Sequence, residues 1–142
     1  MYAWLGSISR AIAKCATRHV HGAPPVTRRA SAESVLPLTP VAFEILLSLG
    51  EEDRHGYHIM QAVERRTEGR IVLHAGTLYR ALARLVEIEL IEELDDRPDP
   101  GTDERRRYYR LTDFGRKVAQ AEAARLESQV RAARALRLFK RG

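Results

Sequence analysis

A chain of 142 residues, 44% hydrophobic and 30% charged, has room for one folded domain with appendages and not for two full domains. It contains no run of about 18 apolar residues, which argues against a membrane-spanning helix, and its single cysteine, Cys15, rules out an internal disulfide and fits a reducing, cytoplasmic setting. The net charge of +5 sits at the two ends: residues 1–35 carry five bases against one acid and residues 118–142 six against two, while residues 36–68 carry three against six and residues 69–117 ten of each. Bulk charge therefore does not identify a polyanionic partner, and the placement of individual arginines has to.

Residues 1–34 are rich in Ala, Arg, Ser and His, and Leu5, Ile8, Ile12 and Cys15 recur at helical spacing opposite Arg10, Lys14 and Arg18. The pattern suits a basic amphipathic or targeting helix, but short patterns of this kind recur by chance. The segment 1–35 is read as a disordered extension, or as sequence upstream of a true start near Val35. From Leu36 the signals become regular. Thr39-Pro40 supplies an N-cap and a first-turn proline for a helix that places Val41, Ala42, Ile45, Leu46 and Leu49 on one face and stops at Gly50. The charged turn Glu51 to Arg54 leads to a second helix over Gly56 to Arg66, with Ile59, Met60 and Val63 as its buried stripe. Glu68-Gly69 breaks that helix, and Ile71-Val72-Leu73 is expected as a short strand.

A third helix, Thr77 to Ile88, turns Leu78, Leu82, Leu85 and Val86 inward. Leu90 to Leu94 reads as a strand and Asp96 to Gly101 as a turn, because two prolines and a glycine oppose regular structure there. Arg105 to Leu111 reads as the returning strand, and Thr112 caps a last helix running to about Phe139. The order predicts a mainly α fold with a small β-hairpin: a winged helix-turn-helix over 36–112, then a long C-terminal dimerisation helix over 113–142.

A recognition helix buries one face and offers polar groups from the other, near its N-terminus. In the third helix Thr77, Arg80 and Arg84 follow at i, i+3, i+7, away from the leucine stripe, with Tyr79 near its edge. Arginine can bond guanine O6 and N7 in pairs, and threonine or tyrosine can reach a phosphate or a thymine methyl, so these four residues are assigned to sequence choice. In the returning strand Arg106, Tyr108 and Arg110 face one way and Arg105, Arg107 and Tyr109 the other. One set can pack on the core while the other meets a phosphate backbone or minor groove. Acids at Asp95, Asp96, Asp99, Asp103 and Glu104 temper this wing and point to modest non-specific affinity. In the last helix Ala119, Ala123, Leu126, Val130 and Ala133 alternate steps of four and three, as a dimer seam does. His55 and His58, and the group Cys15, His19 and His21, are too few and too isolated for a metal, and no cofactor is expected. No phosphate loop, serine elbow or acid–base pair marks an enzyme.

Several spaced motifs, in order, closely resemble the PadR family of transcriptional regulators: Leu38-Thr39-Pro40, His55-Gly56-Tyr57, Gly76-Thr77-Leu78-Tyr79 with Leu82 and Arg84-Leu85, Leu90-Ile91-Glu92, and Arg105 through Thr112 with Gly115. The resemblance covers about Leu36 to the end. It implies a winged-helix domain, a C-terminal dimerisation helix, repression relieved by a small molecule or other signal, and a DNA-backbone contact from Tyr57. Two positions depart from the family: Ala75 stands where proline is frequent, and Glu89 where glycine is, leaving the end of the third helix open. The expected function is a cytoplasmic, homodimeric, sequence-specific repressor on a roughly palindromic double-stranded DNA operator. In that reading the phosphate contacts come from Tyr57, Arg105, Arg106 and Arg107, Tyr108 belongs to the same DNA-binding surface, and no membrane is involved. The competing reading is a winged-helix module that binds protein and no specific DNA.

Overall fold

The computed structural model describes residues 31–98 and 105–139; the readings made for residues 1–30 and for the tip at 99–104 lie outside them. After a 3₁₀ turn at Ala32–Val35 come α1 (Pro40–Ser48), β1 (Arg54–His55), α2 (Gly56–Arg66), α3 (Ala75–Glu87), β2 (Ile91–Pro98), β3 (Arg105–Leu111) and α4 (Asp113–Ala135). The strands form one antiparallel sheet in the order β1-β3-β2, so β3 is central. This is a mainly α, winged helix-turn-helix fold. Its core gathers one face of each of the first three helices, with Ile45 and Leu46 from α1, Ile59 and Val63 from α2, and Leu78, Leu82 and Leu85 from α3. Leu90, Ile91 and Tyr109 close it from the sheet side, and Val118 from α4.

Local chemistry explains most of the boundaries. Thr39 Oγ1 accepts the Ala42 N–H at 3.2 Å and Pro40 opens α1, as the sequence predicts. Glu89 answers the open question at the end of α3. It takes the left-handed conformation at φ 61°, and the Leu90 N–H returns to Leu85 O at 2.9 Å, closing the helix as a glycine would. Thr112 accepts the Gly115 N–H at 2.9 Å and donates to the Glu89 and Leu90 carbonyls at 2.7 and 3.0 Å, which ties the start of α4 to the end of α3.

The expectations for the short strand, the start of α3 and the end of β2 are corrected. No strand forms at Ile71–Leu73, because Thr67 Oγ1 donates to Val63 O at 2.9 Å and accepts the Ile71 N–H at 3.0 Å, winding the chain directly into α3. The short strand is instead Arg54–His55, of which Arg54 was read as the end of a charged turn; it pairs with Tyr109 and Tyr108, and Arg54 Nε is drawn in by Ser48 O at 2.8 Å. α3 begins at Ala75, two residues before Thr77. β2 continues to Pro98, where a turn was expected: a register shift between Leu94 and Arg97 inserts a bulge, and β2 is an edge strand, where a terminal proline without an N–H is tolerated.

α4 stops at Ala135, short of Phe139, with Arg137 left-handed at φ 55° and the Leu138 N–H bonded to Ala133 O at 3.1 Å. The first half of α4 packs on its own domain through Gly115, Val118 and Glu122. Glu122, 2% exposed, receives both guanidinium donors of Arg125 at 2.8 and 2.6 Å. Those bonds outweigh the burial that opposes ionisation and hold its carboxyl below the usual glutamate range, with help from the Leu38 backbone. Ala119 also packs against this core, Leu126 and Ala133 are half-buried, and Ala123 and Val130 are exposed.

Candidate nucleic-acid interface

α3 carries Thr77, Arg80 and Arg84 exposed along one side. At about 100° per residue, Tyr79 lies roughly 160° round the helix from Thr77 and 100° from Arg80. The structure therefore divides the four residues grouped in the sequence. Thr77, Arg80 and Arg84 share the outward face, whereas Tyr79 turns toward α2 and the wing. Arg80 Nε lies along the helix at 3.4 Å from Gly76 O, and Arg84 pairs with Glu87 at 2.7 Å. Both partners of that pair are well exposed, so water screens it and it adds little stability.

The start of α2 faces the wing. His55 is buried and caps α2 by accepting the His58 N–H on Nδ1 at 3.4 Å. Its ring stacks on His58 at 3.9 Å, runs parallel to Tyr57 at 6.5 Å, and meets Tyr108 edge-on at 5.5 Å. Tyr57 and Tyr79 are each 52% exposed. Together with His55, Gly56, Arg106 and Arg107 they line an open cleft of about 420 Å³.

β3 does not split cleanly by alternation, since the neighbours Arg106 and Arg107 border one cleft. Tyr109 is buried in the core, and that burial, before the nearby Glu93 and Tyr79, raises its phenol above the usual tyrosine range. Tyr108 is half-buried against His55, Arg105 stands opposite Pro98 in the ladder, and Arg106 and Arg107 border the cleft. Arg107 lies 3.4 Å from Glu93. Arg110 is held away from this face by Asp53, which accepts from Nε at 3.0 Å and from Nη2 at 2.7 Å. Sequence reading brought Tyr57, Tyr79, Arg106 and Arg107 forward but missed His55 and Gly56 as parts of the same cleft. The signal was available, since a histidine directly before a helix start is in capping position. Among the described residues, no three His, Cys, Asp or Glu side chains converge as metal ligands, and no helix is long and apolar enough to cross a membrane.

A family model described as the transcriptional regulator PadR-like family matches residues 45–121, more than half the chain. The chain belongs to the PadR-like family. The description of the family makes its members transcriptional regulators. Over 73 residues the chain is 38% identical to an uncharacterised protein of Lysinibacillus sphaericus, covering 51% of this chain and 64% of that relative, so it spans less than two thirds of the relative's length. A transcriptional regulator from Clostridium thermocellum shares 30% identity at a TM-score of 0.57, over 67% of this chain and 87% of that one. Bacillus subtilis PadR, solved in complex with operator DNA, has the same fold at a TM-score of 0.51 and 21% identity, over 57% of this chain and 46% of that one.

Proposed function

We propose that this PadR-like regulator binds double-stranded DNA as a homodimer, inserting α3 into the major groove while the cleft beside the wing holds the backbone. The observation that carries this reading is the placement of two different chemistries on adjoining surfaces. Thr77, Arg80 and Arg84 project from one side of a helix, and Tyr57, Arg106 and Arg107 gather at a cleft next to it. Side chains on a groove-sized helix can read base edges, while tyrosine hydroxyls and arginines at a strand root suit phosphates. The operator complex of B. subtilis PadR supports the same use of the fold.

The dimer is assigned to the second half of α4. Val130, Leu136, Leu138 and Phe139 are 42%, 71%, 73% and 56% exposed, an apolar surface that a second copy would cover along the line of Leu126, Val130 and Ala133. In this reading 36–112 is the DNA-binding domain, 113–142 the dimerisation segment that carries α4, and residues 1–35 precede both. A symmetric dimer presents two copies of α3 to a roughly palindromic site, and repression relieved by an effector in the cytoplasm completes the proposed role.

Two alanine variants test the division of labour by gel shift on the DNA upstream of its own gene, with and without competitor. Arg80→Ala is expected to weaken the specific complex by roughly 1–3 kcal/mol and to leave non-specific binding nearly unchanged. Arg106→Ala is expected to weaken every sequence and to flatten the dependence on salt by roughly one phosphate contact per subunit. Equal losses on all sequences for both variants would refute the assignment. Light scattering on the full chain reads the dimer directly.

A further inference from the structure

Gly56 opens α2, yet its backbone gives no reason for a glycine: among the described glycines only Gly69 adopts a left-handed φ. Glycine inside a helix is less favourable than alanine by about 0.5–1 kcal/mol, so its presence needs another cause. Space supplies one. A Cβ at Gly56 would stand 3.0 Å from the Tyr79 hydroxyl oxygen, 3.3 Å from Tyr79 Cζ and 3.3 Å from Leu78 Cδ2. Leu78 is fully buried and need give only a few tenths of an ångström, whereas Tyr79 is half exposed and its end can swing away. The phenol of Tyr79 therefore lies across the start of α2 because position 56 has no side chain.

We propose that Gly56 is a positioning residue of the DNA interface: the room it leaves seats Tyr79 in the cleft with Tyr57, Arg106 and Arg107, making Tyr79 a phosphate contact and not a reader of base edges. This rests on the DNA-binding reading above and changes one role within it. A hydroxyl held there can donate to a phosphate oxygen, a contact indifferent to sequence. An alanine at 56 displaces the flexible end of Tyr79 and leaves the core in place, so it costs affinity without costing stability. A glycine with a purely structural role would show the opposite pattern.

The test compares wild type, Gly56→Ala, Tyr79→Phe and the double variant by fluorescence anisotropy, on two labelled duplexes of about 30 base pairs and unrelated sequence, at low salt. Each single variant is expected to bind both duplexes roughly five- to tenfold more weakly. The double variant is expected to bind no more weakly than Tyr79→Phe alone, since both changes remove one contact. Circular dichroism melts of Gly56→Ala should stay within a few degrees of wild type, or rise. The inference is overturned if Gly56→Ala binds like wild type while Tyr79→Phe does not, or if the two losses multiply. It is also overturned if Tyr79→Phe affects one duplex alone or neither, or if Gly56→Ala does not fold. A wild-type protein that binds neither duplex would instead defeat the DNA-binding reading itself.

Discussion

Gly115 lies in the first turn of α4, with its amide bonded to Thr112 Oγ1 and its Cα against the carbonyl of Leu90. A Cβ there would overlap Leu90 O outright and would stand 2.8 Å from Leu90 C and 2.9 Å from Leu111 Cδ1. Carbon and oxygen are comfortable at about 3.3–3.6 Å, so Gly115→Ala forces α4 and the Leu90 backbone apart by roughly an ångström or more. Leu90 O also accepts the Thr112 N–H at 3.1 Å and the Thr112 hydroxyl at 3.0 Å, and that separation breaks both bonds. Two net hydrogen bonds at about 1 kcal/mol each, with about 1–3 kcal/mol of overpacking, give a loss of roughly 3–5 kcal/mol. Domains of this size hold roughly 5–15 kcal/mol in all, so the variant is left marginal. Urea unfolding followed by circular dichroism should show the midpoint falling by about 1–5 M, for an ordinary slope of about 1–3 kcal/mol per molar. A midpoint within about 0.5 M of wild type would show that α4 slides off Leu90 freely, and would refute the reasoning.

Three further outcomes follow from the same geometry. Glu89→Gly relieves a left-handed glutamate and is expected to stabilise the fold by about 0.5–1 kcal/mol, read as a rise in Tm of roughly 2–6 °C; an unchanged or lower Tm would contradict it. Glu122→Gln removes a buried, doubly bonded carboxylate and is expected to lose roughly 1–2 kcal/mol near neutral pH, discounted because Arg125 is partly exposed. Because the folded-state carboxyl sits below its ordinary value of about 4.3, that stabilisation is complete above this pH and is lost as pH falls through the lowered value. The unfolding curves of wild type and of Glu122→Gln should therefore converge in acid, and a constant gap from neutral pH down to the acid limit would refute the linkage. Val130→Glu places a charge on the exposed apolar line of α4 and is expected to shift the light-scattering mass toward the monomer without lowering Tm; an unchanged mass would remove Val130 from the dimer surface.

The helices were legible because their signals are local. Thr39-Pro40, the Ile59/Val63 stripe and the Leu78/Leu82/Leu85 stripe each sit within a few residues of the structure they cause. What escaped the sequence depends on partners far along the chain. Arg54–His55 becomes a strand only because Tyr108 and Tyr109, more than fifty residues later, offer a ladder to it. Pro98 can end a strand only because β2 lies at the sheet edge, which no local composition reveals. The cleft was half legible for the same reason. Tyr57, Arg106 and Arg107 stand out as residue types, but Gly56 matters only through the end of Tyr79's side chain. In α4 the heptad spacing ran through Ala119 and missed Glu122, since a glutamate on an apolar face is legible as buried only once Arg125 and the Leu38 backbone are seen to satisfy it.

The distribution of acids then gives the proposed interface its character. Arg84 faces Glu87, Arg107 faces Glu93, and Arg110 is clasped by Asp53 with Glu92 at 3.8 Å. Arg110 has two good bonds to a carboxylate and no reason to leave it. The pairs at Arg84 and Arg107 are exposed and loose enough for a phosphate or a base edge to replace the carboxylate at small cost. An arginine paired with a carboxylate must give up that pair before it can neutralise a phosphate and release the counterion held there, so such exchange lowers affinity for any DNA. A region whose residues 69–117 carry as many acids as bases can therefore still serve DNA recognition. In the proposed reading it would do so by making the backbone contribution weak and letting the face of Thr77, Arg80 and Arg84 decide where the protein stays.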